Sequence, residues 1–220
     1  MHAVAIVAAA GSGSRLGADL PKALVPLAGR PLVAWAVEGL RAGGVADVVV
    51  TAPAGRAAEF ADALGSDARV VEGGATRTDS VRAALATFGD GPGAVLVHDA
   101  ARPLTPPDVV ARVLAALAAG APAVVPVLPA VDTTVVVDPA GMVTGALPRE
   151  TLRRVQTPQG FDRSVLVRAY ERLPPGADLT DDAAVVHTIG VRVSTVPGDE
   201  RAAKITVRDD LELAALRVAR

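Results

Sequence analysis

The sequence predicts an α/β fold, a mostly parallel sheet with helices on both faces. Two observations carry this reading. Apolar runs alternate with segments of helical periodicity from the first residues onward. The first run, Val4–Ala9, is apolar at successive positions, the pattern of a strand covered on both sides. With 220 residues the chain can bury a full core as one domain.

The elements follow in order. After the Val4–Ala9 strand, Pro31–Ala42 reads as a helix with Pro in its first turn and Gly43-Gly44 at its end. Val48–Thr51, Arg69–Val71, Ala94–His98 and Ala123–Val127 read as further strands. Between them Ala57–Leu64, Arg77–Phe88 and Pro107–Ala118 carry helical periodicity. The region from Asp132 to Arg149 breaks the rhythm: Thr133–Val137 is strand-like, Asp138–Gly141 is a turn, and Met142–Ala146 returns as a second strand. This hairpin has no helix of its own to pack on. Isolated two-stranded hairpins are marginal in water, so residues 132–149 are expected to protrude as an arm onto a second subunit of a homodimer. Helices near Arg163–Arg172 and Asp181–His187, a strand Arg192–Val196 and a last helix from Asp209 complete a single domain over residues 1–220.

Composition narrows the function classes. Half of the chain is hydrophobic but only 2% is aromatic, so the core must be built from Ala, Val and Leu. The formal net charge is −2 and no basic block occurs, which argues against a nucleic-acid partner. There is no Cys, so disulfides and thiolate metal sites are excluded. The start of the sequence does not read as a signal peptide, and none is expected. The uncharged stretch from Val113 to Val131 is broken by Gly120, Pro122, Pro126 and Pro129 and does not read as a membrane span. The expectation is a soluble, cytoplasmic protein. Of the 22 basic residues only Lys22 and Lys204 are lysines. Lys is a compact point charge that can follow a moving phosphate, whereas Arg is a rigid fork. The two lysines are therefore candidate phosphate ligands.

In parallel sheets ligands sit at the carboxyl ends of the strands, which directs attention to the loops after Ala9 and His98. Ala8-Ala9-Ala10-Gly11-Ser12-Gly13-Ser14-Arg15-Leu16-Gly17, followed by Pro21-Lys22, is the strongest local signal. Glycines after a strand let backbone N–H groups approach a phosphate chain, and Arg15 and Lys22 add positive charge. The spacing does not fit a dinucleotide fingerprint, since Leu16 stands at the third glycine position and Thr51-Ala52-Pro53 ends the second strand without an acid. Nor does it end in the Gly-Lys-Ser/Thr of a P-loop.

The Ala9-Ala10-Gly11…Arg15…Pro21-Lys22 pattern resembles the nucleotide loop of sugar-phosphate nucleotidyltransferases, whose sheet is Rossmann-like, of the glycosyltransferase-A type. His98-Asp99-Ala100-Ala101-Arg102-Pro103, Thr157-Pro158-Gln159, Thr180-Asp181-Asp182 and Lys204-Ile205-Thr206 make the chain similar to one branch. That branch is the 2-C-methyl-D-erythritol 4-phosphate cytidylyltransferases of non-mevalonate isoprenoid synthesis. The resemblance implies that Ala9, Ala10, Gly11, Gly13, Gly74 and Ser80 bind the nucleotide, CTP. It implies that Arg15 and Lys22 neutralise the triphosphate, and that Asp99 binds the nucleotide through Mg²⁺. Arg102, Thr133, Thr157 and Thr180 would hold the sugar-alcohol phosphate, with Thr133 and the catalytic Arg149 reaching over from the partner subunit. Lys204 would position the attacking phosphate. The family has an acidic residue after the second glycine where this chain has Ala75. His98 is read as a structural hydrogen-bonder. Alternatives are a cytidylyltransferase for another alditol phosphate, such as ribitol 5-phosphate, and a non-catalytic nucleotide-binding regulator.

Overall fold

The structure, a computed structural model, describes residues 1–11, 20–89, 91, 93–174, 176–177, 179 and 181–219. The first half of the chain forms β1 (Ala3–Ala8), a 3-10 turn at Lys22–Leu24, β2 (Pro26–Leu27), β3 (Arg30–Pro31), α1 (Leu32–Ala42), β4 (Asp47–Ala52), α2 (Ala57–Leu64), β5 (Arg69–Glu72), α3 (Arg77–Leu85) and β6 (Ala94–Asp99). The second half forms α4 (Pro107–Ala118), β7 (Ala123–Pro129), β8 (Val135–Val137), β9 (Val143–Ala146), β10 (Arg153–Val155), β11 (Gln159–Asp162), α5 (Arg163–Arg172), α6 (Asp182–His187), β12 (Ser194–Pro197) and α7 (Arg208–Val218).

The main sheet runs β5-β4-β1-β6-β11-β7, with β10 and β12 also paired to β7. β5, β4, β1 and β6 pair in parallel, and β12 is parallel to β7. The expected mostly parallel sheet is therefore present, with one departure. β10 and β11 are antiparallel, lie in sequence along β7, and β11 also fills the gap between β6 and β7. Sequence reasoning missed both, as it missed the two-residue pair β2–β3. Gln159-Gly160-Phe161-Asp162 is too short and mixed to show a period; it is extended because two strand edges flank it. Gly160 is required there, since a Cβ would lie 2.4 Å from Val113 Cγ1 of α4.

Alternation along β1 divides the core into two layers. Ala3, Ala5 and Val7 pack with α1, α2 and α4 residues such as Val37, Phe60 and Val110. Val4 and Ile6 face Val81, Phe161, Leu166, Tyr170 and Val185, contributed largely by α3, α5 and α6. A third cluster, Val25, Leu27, Leu32, Ile205 and Ala214, seats α7 against the β2–β3 turn. Both sheet faces are thus covered, mainly by small aliphatic side chains.

Several boundaries differ from expectation by a few residues. Pro31 is the residue before α1 and not part of its first turn. α3 stops at Leu85, because Thr87 and Phe88 close tight turns onto Ala84 and Leu85 in place of continuing the helical bonding. Asp181 caps α6 by accepting the Ala184 N–H at 2.8 Å, so the helix starts at Asp182. β8 and β9 pair only with each other. Apolar side chains on them and on the connecting turn stay open: Val137 is 54% exposed, Val143 64% and Met142, just before β9, 66%.

Candidate active site

A cavity of about 470 Å³ opens at the carboxyl ends of β1 and β6. The alignment of β1 and β6 brings Ala8 beside Asp99, so the glycine-rich turn and the carboxylate share one rim. Of the residues singled out in the sequence, Ala9, Ala10, Gly11, Lys22, Gly74, Ser80, Asp99 and Lys204 line it. Gly13, Arg15 and Thr180 lie outside the described residues. Among the described residues the lining carries three cations, Lys22, Arg77 and Lys204, against one carboxylate, Asp99. The field in the cavity is therefore positive although the chain as a whole is acidic, which favours anionic ligands.

Local bonding explains the position of each group. Ala9 leaves β1 with its N–H donated to the Thr51 carbonyl at 3.2 Å, which ties the glycine-rich turn to β4. Gly74 donates its N–H to Ser80 Oγ at 3.1 Å, and Ser80 Oγ donates to the Thr76 carbonyl at 2.9 Å. A Cβ at Gly74 would lie 2.3 Å from Asp79 Cβ, so only glycine lets this loop fold back onto α3.

Asp99 ends β6 and is nearly buried. Its Oδ2 accepts from Lys204 Nζ at 2.8 Å, and its Oδ1 accepts from Arg77 Nε at 3.2 Å. Burial alone would raise its pKa, but the Arg77 and Lys204 charges outweigh burial and hold the carboxyl far below the usual carboxylate range. Arg77 is held above its ordinary value in turn: burial lowers it, and the Asp182 and Asp99 carboxylates more than compensate. Lys204 reaches Asp99 because the backbone is clamped on either side of it. Ile205 donates its N–H to the Ala101 carbonyl at 2.8 Å, and Arg102 Nη1 donates to the Ala202 carbonyl at 2.8 Å.

Arg102 sits on the loop after Asp99, bonded also to the Val155 carbonyl at 3.3 Å, while its Nε is buried without a partner. Thr157 is buried and does not line the cavity. Its hydroxyl accepts the Asp99 N–H at 3.1 Å and pairs with His98 Nδ1 at 2.8 Å. His98 Nε2 faces the Arg102 carbonyl at 3.3 Å. A carbonyl can only accept, so the ring proton is on Nε2, and Nδ1 accepts from Thr157. His98 is thus a structural hydrogen-bonder, fixing both ends of the Asp99–Arg102 turn. Thr133 and Arg149 stand on the exposed hairpin segment outside the cavity lining, with Arg149 Nη1 bonded to the Val131 carbonyl at 3.3 Å.

Burial pushes the His98 pKa down to about 4, against a smaller opposing pull from Asp99. The unfolded chain takes up a proton near pH 6.5 that the folded protein does not take up until about pH 4. The resulting stabilisation is full above pH 6.5 and is lost as the pH falls toward 4, by roughly 2 kcal/mol between pH 6.5 and 4.5. A His98→Gln variant should therefore show a flatter decline of melting temperature over that range than the parent. Parallel declines would show that the ring is not held uncharged.

Sequence reasoning missed Arg77. A signal existed: Arg77 is the first residue of α3, where the helix dipole disfavours a cation, so its presence there calls for nearby carboxylates.

This loop–carboxylate–lysine arrangement can be compared with known proteins. The family model described as IspD: 2-C-methyl-D-erythritol 4-phosphate cytidylyltransferase matches residues 3–220. The chain belongs to this family. A cytidylyltransferase of that name from Saccharopolyspora erythraea is 54% identical over 97% of this chain and 98% of its own length. One from Nocardia farcinica is 52% identical over 96% of this chain and 91% of its own. Among solved structures, the Thermus thermophilus 2-C-methyl-D-erythritol 4-phosphate cytidylyltransferase superposes with a TM-score of 0.81 at 37% identity, covering 98% of both chains. The Anaerococcus prevotii 4-diphosphocytidyl-2C-methyl-D-erythritol synthase superposes with a TM-score of 0.86 at 25% identity, covering 99% of this chain and 98% of its own. No helix among the described residues is long and apolar enough to cross a membrane.

Proposed function

We propose that the cavity carries out the family reaction, transfer of the cytidylyl group of CTP to 2-C-methyl-D-erythritol 4-phosphate with release of pyrophosphate. The observation that carries this reading is the Asp99 carboxylate with Lys204 Nζ at 2.8 Å, on the rim of a glycine-lined, positively charged cavity. A phosphate monoester is largely dianionic near neutrality, with a second pKa of about 6, so it attacks the α-phosphorus in line without a general base. His98, the buried histidine beside the site, is uncharged and committed to Thr157 and Arg102, which agrees with a mechanism that asks nothing of it. The work left to the protein is to bring two anions together and stabilise the charge that spreads over the transferring group. Lys22 serves the triphosphate side, Lys204 and Arg102 the incoming phosphate. Arg15, outside the described residues, is assigned with Lys22 on the resemblance alone.

A magnesium ion fits the donor set. Among the described residues there is no cluster of three or more His, Cys, Asp or Glu that would form a protein cage. Asp99, an ionised carboxylate on the cavity rim, is the single protein ligand that a nucleotide-borne Mg²⁺ ordinarily takes alongside phosphate oxygens. Bound there, the ion would neutralise charge between the phosphates.

The Gly73-Gly74…Ser80 segment is assigned to the cytosine. Its backbone is close-packed, and a site that pairs with the cytosine edge rejects uracil by leaving polar groups unpaired. CTP is expected to exceed UTP in kcat/KM by roughly 10² or more; equal turnover would place base reading elsewhere. Ala75 leaves this recognition to backbone groups where the family has an acidic side chain.

The hairpin is assigned to a homodimer. Its apolar side chains are exposed among the described residues, and Thr133 and Arg149 lie off the cavity lining. Each arm would then bring these residues to the partner's site. Measuring pyrophosphate release from CTP and magnesium with methylerythritol phosphate and ribitol phosphate in turn tests the reaction. Turnover with ribitol phosphate alone would favour the alternative alditol, and no turnover with either would overturn the reading.

A further inference from the structure

Of the Thr180-Asp181-Asp182 motif, Asp181 is accounted for: it caps α6 and accepts from Gln159 Nε2 at 3.0 Å. Asp182 is not. Its side chain is 0% exposed, and a buried carboxylate is costly unless it is paired. Two partners meet it. Tyr170, the single tyrosine of the chain, donates its hydroxyl to Oδ1 at 2.6 Å. Arg77 Nη2 lies 2.7 Å from Oδ2. Arg77 then turns its Nε to Asp99 Oδ1 at 3.2 Å, on the wall of the cavity. A continuous line therefore runs from the α5 core face through Asp182 and Arg77 to Asp99 and Lys204.

The physical logic of this line is orientation. An arginine side chain has several freely rotating torsions, and one bond to Asp99 would leave its fork free to swing into the cavity. A second anchor at Nη2, to a carboxylate itself locked by Tyr170, removes that freedom. Anchored in this way, Arg77 stands as a fixed charge beside Asp99 at the start of α3. Fixed charges stabilise a developing anion without reorganising during the reaction.

We propose that Asp182 is a positioning residue for cytidylyl transfer, acting through Arg77, with Tyr170 holding its carboxylate in place. The proposal rests on the reaction assigned above, and turnover by the unaltered enzyme is the control that separates the two. If that control is inactive, the reaction assignment fails; the proposal is judged only on ratios to it.

The test is a double-mutant cycle with kcat and KM measured for each enzyme. Asp182→Asn keeps the side-chain size and removes the charge, and is expected to lower kcat/KM by roughly tenfold or more, the scale of one charged hydrogen bond. Arg77→Gln is expected to lose more. In the Arg77→Gln background, Asp182→Asn should cost less than about twofold, because the group it positions is gone. Equal losses in both backgrounds would show that Asp182 acts on the fold and not through Arg77, and would overturn the proposal. So would a lowered melting temperature with kcat/KM unchanged. Tyr170→Phe removes one hydroxyl and leaves every charge, so it serves if the Asn variant does not fold. It should lower kcat/KM a few-fold in the parent and not at all in the Arg77→Gln background, and equal losses there count against the proposal in the same way.

Discussion

Lys204→Ala is expected to turn over on the order of 10² more slowly than the parent while binding CTP with magnesium almost normally. Lys204 lies 105 residues from Asp99 along the chain yet reaches it at 2.8 Å, held by the Ile205–Ala101 backbone bond. Its ammonium stands on the cavity wall beside Asp99 by virtue of that clamp. An electrostatic group aimed at charge that develops during transfer contributes mostly to kcat. Removing it leaves Arg77 as the counter-ion of Asp99, so the carboxylate is not stranded and the fold should hold. Calorimetry of CTP binding checks the assignment directly. Abolished binding would move Lys204 to the triphosphate side of the reaction.

Mixing two inactive variants is expected to restore activity from near zero to roughly a quarter of the parental value. The variants are Lys22→Ala, which disables the nucleotide side, and Arg149→Ala, which removes the arm's arginine. Unfolded and refolded together in equal amounts, about half of all dimers are mixed under random pairing. In a mixed dimer the site on the Arg149→Ala subunit keeps its own Lys22 and receives Arg149 from the other chain. The companion site lacks both. The apolar faces of β8 and β9, open along their whole length, are the physical reason to expect that exchange. If Arg149 serves its own subunit, every site carries one lesion and mixing recovers nothing. Absent recovery in verified mixed dimers would leave the hairpin without this role.

Much of this protein was legible in its sequence. α2 and α4 run over the residues that periodicity indicated, since their apolar faces repeat at helical spacing. Ala9–Gly11, Gly74 and Asp99 lie on one cavity because each stands at the carboxyl end of a strand whose polarity the alternating β and α pattern dictates, and Ser80 joins them from the start of α3. β11 was not legible. Its four residues show no period, and they are extended only because β6 and β7 each present an open edge to them. The role of Thr157 was legible only in part, since nothing local to Thr157-Pro158-Gln159 reveals that its hydroxyl is spent on His98 and the Asp99 N–H.

The sequence by itself determined the layered α/β architecture and the family, and singled out the two lysines, because local periodicity and motif spacing are short-range properties. The tertiary structure alone decided that Arg77 bridges Asp99 to Asp182, that Tyr170 locks that bridge, and that Lys204 closes on Asp99. Those contacts join α3, β6, α5, α6 and the segment before α7, elements that no window of the chain contains together. They form because a charge removed from water must find its partner wherever the packed layers bring one within reach.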